Sequence, residues 1–279
     1  MILSFLGKGG SGKSSVSSQT ALYLNKKNVI LAIDADHNMD MFFNLTAGEQ
    51  PKINFLGDSL NDFQKTVGLT MCQKYTKAFI DLTPYRFYLE PISQDIEHYS
   101  KKLENGVRMM VAGPQTDIVL YGKACSHVLT TPLKILLPLL VLNKNEIVIV
   151  DEKAGLDGVS TGIITGIDVG VIVCEPSLHS IKTAKEIAKL MDFYDTPYLF
   201  VANKITSEED KKFVVDNLPE EPAAFLKEEI SIKQNPSSVV DSWEESLVDI
   251  FEKAKLINND NRLERTIKKF TRNDIFQNQ

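Results

Sequence analysis

The sequence predicts a single α/β domain on a mostly parallel, roughly seven-stranded sheet covered by helices on both faces. Three observations lead there. Short apolar runs alternate with longer segments of helical period, the pattern of repeated strand–helix–strand units. Runs such as Ile147-Val148-Ile149-Val150 are apolar at every position, as in strands buried on both faces. The first apolar run ends in a cluster of glycines, Gly7, Gly9, Gly10 and Gly12, four of the fifteen in the chain.

Taken in order, the strands are expected at 1–6, 28–34, 85–90, 107–111, 146–151, 169–174 and 198–203. The helices are expected at 13–25, 132–142, 177–192, 207–217, 239–256 and 261–272. Segment 132–142 opens with Thr131-Pro132, a capping residue followed by a proline suited to a first helical position, and Pro138 is expected to kink it. Residues 36–84 read as a long, partly helical excursion between strands. No linker-like stretch divides the 279 residues, so 1–279 is read as one domain with 260–279 as a peripheral helix and tail.

Composition narrows the classes. Apolar residues make up 43% and charged residues 24%, which suits a folded globule. The formal charge of −6 has the wrong sign for a general binder of nucleic acid, and none is expected as a partner. The three cysteines, Cys72, Cys125 and Cys174, are too few and too scattered for a disulfide framework. The apolar start Met1–Leu6 lacks the basic flank of a secretory leader. The longest apolar run, Ile135–Leu142, is far shorter than the roughly 20 residues that span a bilayer. The expectation is a cytoplasmic protein.

The glycine cluster carries the chemistry. Gly7-Lys8-Gly9-Gly10-Ser11-Gly12-Lys13-Ser14 satisfies G-x-x-x-x-G-K-[ST] between an expected strand and an expected helix. Glycines let consecutive backbone amides turn inward on a phosphate chain, and the helix N-terminus adds partial positive charge. On this reading Gly9, Gly10, Ser11 and Gly12 cradle the phosphates of ATP or ADP. Lys13 reaches the β- and γ-phosphate oxygens, Ser14 is a ligand for Mg²⁺, and Ser15 donates to the α-phosphate. The strand 146–151 ends in Asp151, the apolar-run-then-aspartate pattern of a second magnesium position, held through water. Strand 198–203 ends in Asn203, whose amide presents a donor and an acceptor matching a purine edge.

With its additional lysine, Lys8-Gly9-Gly10-Ser11-Gly12-Lys13-Ser14 resembles the deviant phosphate loop of the MinD/ParA class of ATPases. That resemblance implies an ATP-dependent homodimer in which Lys8 crosses to the partner's nucleotide. It also places a switch at Asp34-Ala35-Asp36, with Asp36 orienting the attacking water and Asp34 supporting the magnesium shell. Ala154-Gly155 resembles the second switch, where the Gly155 amide meets the γ-phosphate, and Asn203 reads adenine. Lys8, Lys13 and Asp36 are thereby the catalytic candidates.

Three stretches resemble one branch of that class, the accessory ATPases that help insert nickel into carbon monoxide dehydrogenase: Gly7–Asp40, Asp151–Asp157 and Val173–Ala184, followed by Asn203-Lys204. The resemblance covers about two thirds of the chain and implies a client metalloenzyme as partner. That branch carries a Cys-x-Cys shared between two subunits. Here Gly122-Lys123-Ala124-Cys125-Ser126-His127 has Lys123 in place of the first cysteine. Two copies of Cys125 and His127 would supply a Cys₂His₂ set suited to Zn²⁺ and acceptable to Ni²⁺. A neighbouring branch, the nitrogenase iron protein, needs a second interfacial cysteine after the Asp151 strand, where Val159-Ser160-Thr161 offers none.

A competing reading comes from the basic tail. Leu263, Ile267 and Phe270 fall on one helical face, among Arg262, Arg265, Lys268, Lys269 and Arg272. Such a helix either docks on its own domain or lies on a membrane, as in MinD-type positioning ATPases. Docking is the expected state.

Overall fold

The computed structural model describes residues 1–49, 51–68, 85–114, 121, 129–160 and 162–271. In chain order, β1 (Ile2–Gly7) leads through the glycine loop into α1 (Lys13–Leu24) and β2 (Val29–Asp34). The excursion that follows holds α2 (Asp40–Leu45) and α3 (Leu60–Thr66), then β3 (Phe87–Tyr88), α4 (Gln94–His98), β4 (Lys101–Lys102) and β5 (Arg108–Val111). Next come α5 (Leu133–Leu139), β6 (Leu140–Val141), β7 (Glu146–Asp151), α6 (Leu156–Ser160) and β8 (Val169–Cys174). The chain continues with α7 (Leu178–Phe193), β9 (Tyr198–Ile205), α8 (Glu208–Asn217), β10 (Ala224–Lys227), α9 (Ser231–Gln234), α10 (Glu244–Ile257) and α11 (Arg262–Thr271).

The main sheet has eight strands in the order β10-β9-β8-β1-β7-β2-β5-β4. Every pairing is parallel except β4 with β5. The inner strands β1, β7 and β8 are buried at every residue, which accounts for their largely apolar sequences. Alternate side chains feed two cores. One includes Leu6, Ile33, Val150 and Ile172, and the other Phe5, Ala32, Ile149 and Val171. A covered parallel sheet places all its strand C-termini on one edge. The registers Phe5 with Asp151, Asp34 with Asp151, and Gly7 with Val173 bring the ends of β1, β2, β7 and β8 level. Ligands of open α/β sheets bind at that edge.

Three expectations need correction. The run 85–90 does not join the main sheet. Only Phe87–Tyr88 is extended, and it pairs in parallel with β6 as a separate two-stranded sheet. Strands β4 and β10 join the main sheet at its edges without having been predicted. An edge strand needs one partner and one buried face, so it carries no long apolar run. Pro138 does not kink a continuing helix. Helix α5 stops at Leu139 and the chain turns extended at Leu140.

Helix α11 docks on the domain, as expected. Leu263 packs against the first core, and Arg265 and Thr266 are buried. Arg262 pairs with Asp168 at 2.6 Å and donates to the Leu140 carbonyl. Arg265 donates to the Ile167 carbonyl and to Asn259. Asp168 also accepts the Ile2 amide at 2.7 Å, so one buried carboxylate ties the start of β1 to the last helix. Among the described residues no helix is long and apolar enough to cross a membrane.

Arg262→Ala removes one partner of a buried pair and is expected to cost about 3 kcal/mol. Lys268→Ala breaks an exposed pair with Asp195 and should cost under about 1 kcal/mol. Urea midpoints at unchanged slope would measure both.

Candidate functional site

The glycine loop bridges β1 and α1. A side chain at Gly7 would meet the Val173 carbonyl at 2.3 Å, because β8 lies directly alongside. Gly12 sits at φ +87°, and a Cβ there would stand 2.2 Å from Asn203 Nδ2. Both positions exclude larger residues for steric reasons, and Gly12 also for its left-handed backbone. The Ser11 amide closes the loop on the Lys8 carbonyl at 3.1 Å. At its far end α1 presents first-turn amides with no carbonyl partner four residues back.

The two lysines differ sharply. Lys13 is buried, and its Nζ lies 3.1 Å from Asp151 Oδ1 and 3.5 Å from Ser14 Oγ. Burial works against the Lys13 ammonium, but Asp151, Asp36 and Asp34 raise its pKa above the ordinary lysine value. Lys8 stands at the rim, 38% exposed, donating to the Gly9 carbonyl at 3.3 Å and 3.9 Å from Glu175.

The carboxylates divide the work. Asp34 is fully buried, and its two oxygens accept the Asp36 amide at 3.1 Å and the Phe42 amide at 2.9 Å. It thereby shapes the loop that carries Asp36 and seats the start of α2. Burial, reinforced by the Asp151 charge, holds its pKa well above the usual carboxylate range. Asp36 accepts the Asn38 amide at 3.1 Å, with His37 Nδ1 3.5 Å away. Gly155 donates its amide to the Gly7 carbonyl at 2.8 Å, so the segment after β7 is hydrogen-bonded to the glycine loop itself. Asn203 donates to the Ser11 carbonyl at 2.9 Å, which leaves its side-chain oxygen without a protein partner.

The donor set suits a polyanion with a hard cation. Ser11 Oγ, Asn203 Oδ1 and Asp151 Oδ2 are buried polar atoms without protein partners, and such groups are costly unless a ligand or solvent meets them. Ser14 and Asp151 place two oxygen donors side by side, the ligand type magnesium prefers. The structure thus gathers Lys8, Gly9, Gly10, Ser11, Gly12, Lys13, Ser14, Ser15, Asp34, Asp36, Asp151, Gly155 and Asn203 along one sheet edge. Cys125 and His127 lie outside the described residues. Among the described residues no cluster of three or more His, Cys, Asp or Glu side chains is arranged to hold a metal ion. Cys174 is a buried core thiol whose pKa burial pushes up to about 12.

Two participants were not assigned from sequence. Glu152 follows Asp151 and is fully buried, held by Ser4 Oγ at 3.4 Å. Burial pushes its pKa up to about 8. A polar residue after an apolar strand ordinarily reads as solvent-facing, so nothing local marks it as buried. Lys204 reaches back to the Gly10 carbonyl and pairs with Glu175 at 2.8 Å. Its left-handed φ of +59° directs that return.

Comparison with known proteins places this site in context. Residues 2–241 match the family described as the CobQ/CobB/MinD/ParA nucleotide binding domain. An uncharacterised ATP-binding protein of Methanocaldococcus jannaschii is 27% identical over 226 residues, 78% of this chain and 84% of that protein. The carbon monoxide dehydrogenase accessory protein CooC of Rhodospirillum rubrum is 27% identical over 218 residues, covering 77% and 79%. Among solved structures, the septum site-determining protein MinD of Pyrococcus horikoshii, complexed with Mg-ADP, superposes with a TM-score of 0.61 at 15% identity, covering 90% and 94%. A ParA family ATPase of Chlorobium tepidum gives 0.57 at 17% identity over 96% of each chain. At such identities the structural likeness establishes the fold.

Glu152 yields a pH prediction. Its pKa rises from 4.5 to about 8 on folding. The folded protein then binds the proton more tightly than the unfolded chain. Its contribution is fully present below pH 4.5 and is lost as pH rises toward 8. Glu152→Gln should therefore raise the urea midpoint more at pH 8 than at pH 5. An equal change at both would contradict it.

Proposed function

The chain belongs to the CobQ/CobB/MinD/ParA nucleotide-binding family and is an ATPase of it, and we propose that it works as an ATP-dependent dimerising switch in metalloenzyme maturation. The observation that carries the switch is the contrast between its lysines. Lys13 is buried within its own loop beside Asp151, whereas Lys8 stands exposed on the rim. A rim lysine is placed to act on the phosphates of a second copy.

In this reading Gly9, Gly10, Ser11 and Gly12 wrap the phosphates with backbone amides, and Lys13 pairs with the β- and γ-oxygens. Ser15 donates to the α-phosphate and Asn203 meets the adenine edge. Ser14 and Asp151 would hold magnesium, which when bound supplies charge neutralisation between phosphates. The role of Asp34 narrows: it holds the backbone that positions Asp36, and Asp36 orients the attacking water. Phosphoryl transfer is loose enough that orientation matters more than proton removal. Gly155 reaches the γ-phosphate by exchanging the Gly7 carbonyl for it. That exchange makes the γ-phosphate the differential contact that biases a two-state element.

The maturation role is supported by the likeness to CooC and by Cys125 with His127. Two copies would pool a Cys₂His₂ set for Zn²⁺ or Ni²⁺ at the dimer interface, with a carbon monoxide dehydrogenase-like enzyme as client. The membrane alternative has less support, because α11 spends Leu263, Arg262 and Arg265 on its own domain. Residues 1–279 act as one unit, with α11 as its closing element.

Lys13→Ala is expected to abolish ATP binding in calorimetry. Lys8→Ala should keep binding but lose the ATP-dependent dimer in sedimentation velocity. A dimer unchanged in Lys8→Ala would overturn the trans role.

Elemental analysis of the ATP-bound wild type should find about one Zn²⁺ or Ni²⁺ per two chains, from the pooled Cys₂His₂ set. Cys125→Ser should lose it. Equal metal in both would remove the interfacial site.

A further inference from the structure

Glu175 follows β8 and precedes the capping residue of α7, outside every role assigned so far. Its placement is built. Its amide donates to Ser180 Oγ at 3.0 Å, and Ser177 Oγ donates to its Oε1 at 3.4 Å. Ser177 in turn accepts the Ser180 amide as the N-cap of α7. The carboxylate so held faces two lysines. Oε2 lies 2.8 Å from Lys204 Nζ, and Oε1 lies 3.9 Å from Lys8 Nζ. Lys204 Nζ also donates to the Gly10 carbonyl. One carboxylate thus joins three strand ends, those of β1, β8 and β9, at the rim of the loop.

The two contacts are unequal. The Lys204 pair is at hydrogen-bond distance and backed by Gly10. The Lys8 pair is long, and Lys8 is the more weakly held. We infer that Glu175 is the positioning residue for Lys8, parking it over its own loop and surrendering it when a second copy presents its phosphates. The inference rests on the trans role of Lys8 proposed above. Lys204 sets the strength of the hold, because it competes for the same carboxylate. When Lys8 departs, Glu175 remains neutralised by Lys204, so no charge is left unpaired. A half-buried pair as long as 3.9 Å contributes little, which suits a contact that must break once per cycle.

The competition makes opposite predictions for the two neighbours. Glu175→Gln keeps the shape and most hydrogen bonds but frees Lys8. The protein concentration for half-dimerisation with ATP should fall about two- to fivefold, the range of a weak pair. Lys204→Met leaves Glu175 to Lys8 alone and should raise that concentration. In the Lys8→Ala background, Glu175→Gln should have no effect on self-association. A merely structural role would shift both single variants in the same direction. Sedimentation velocity of the full chain with ATP, titrated in protein, reads all four. Opposite shifts of the single variants, with none in the Lys8→Ala background, support the inference. An unchanged concentration in Glu175→Gln, a same-direction shift in Lys204→Met, or a persisting effect without Lys8 overturns it. If the wild type forms no ATP-dependent dimer, the switch reading itself fails and takes this inference with it.

Discussion

The buried contact between Lys13 and Asp151 organises this molecule. It joins the first turn of α1 to the end of β7, and it requires β1 and β7 to be neighbours in register. Taking both charges out of water is expensive, and in low dielectric their attraction roughly repays that cost without adding much stability. Its value is positional. The ion pair sits among Asp34, Asp36 and Glu152, so the site holds more carboxyl groups than ammonium groups before any ligand is considered. A phosphate chain with magnesium would bring both a competing anion for Lys13 and a cation for Asp151, and so would satisfy each charge separately.

Around that pair the loops are joined by hydrogen bonds to their backbones. Gly155 bonds to Gly7, Asp34 clasps the amides of Asp36 and Phe42, and Asn203 bonds to Ser11. The first and last tie one strand end to another across the sheet edge, and the Asp34 bonds fix the loop that leaves β2. In the proposed switch, the Gly155–Gly7 hydrogen bond is the contact through which a change at the glycine loop would reach Gly155.

The opposite end of the sheet is built for permanence. Asp168 accepts both the Ile2 amide and Arg262, and Arg265 caps the Ile167 carbonyl. The basic character of the last helix, which taken alone suggests an anionic surface, is partly consumed by these internal contacts. Charges counted along a sequence do not reveal which of them face inward. Arg262 and Arg265 turn in, while Lys268 stays exposed against Asp195.

By itself the sequence determined the strand–loop–helix at Gly7–Ser14, the buried inner strands, and the acid at the end of β7. These are local patterns, written in glycine spacing and unbroken apolar runs. Tertiary structure decided the rest. Strands β4 and β10 exist because a neighbour offers hydrogen bonds at an edge, so their own residues carry little signal. Glu152 is buried where Ser4 of β1 meets its carboxyl group, and burial is the largest cause of its raised pKa, with the Asp151 charge adding to it. Glu175 and Lys204 meet only because β8 and β9 run parallel in register, bringing residues 29 positions apart to one rim. Long-range pairing assigns such roles, since hydrogen-bond reach depends on distance in space and not along the chain.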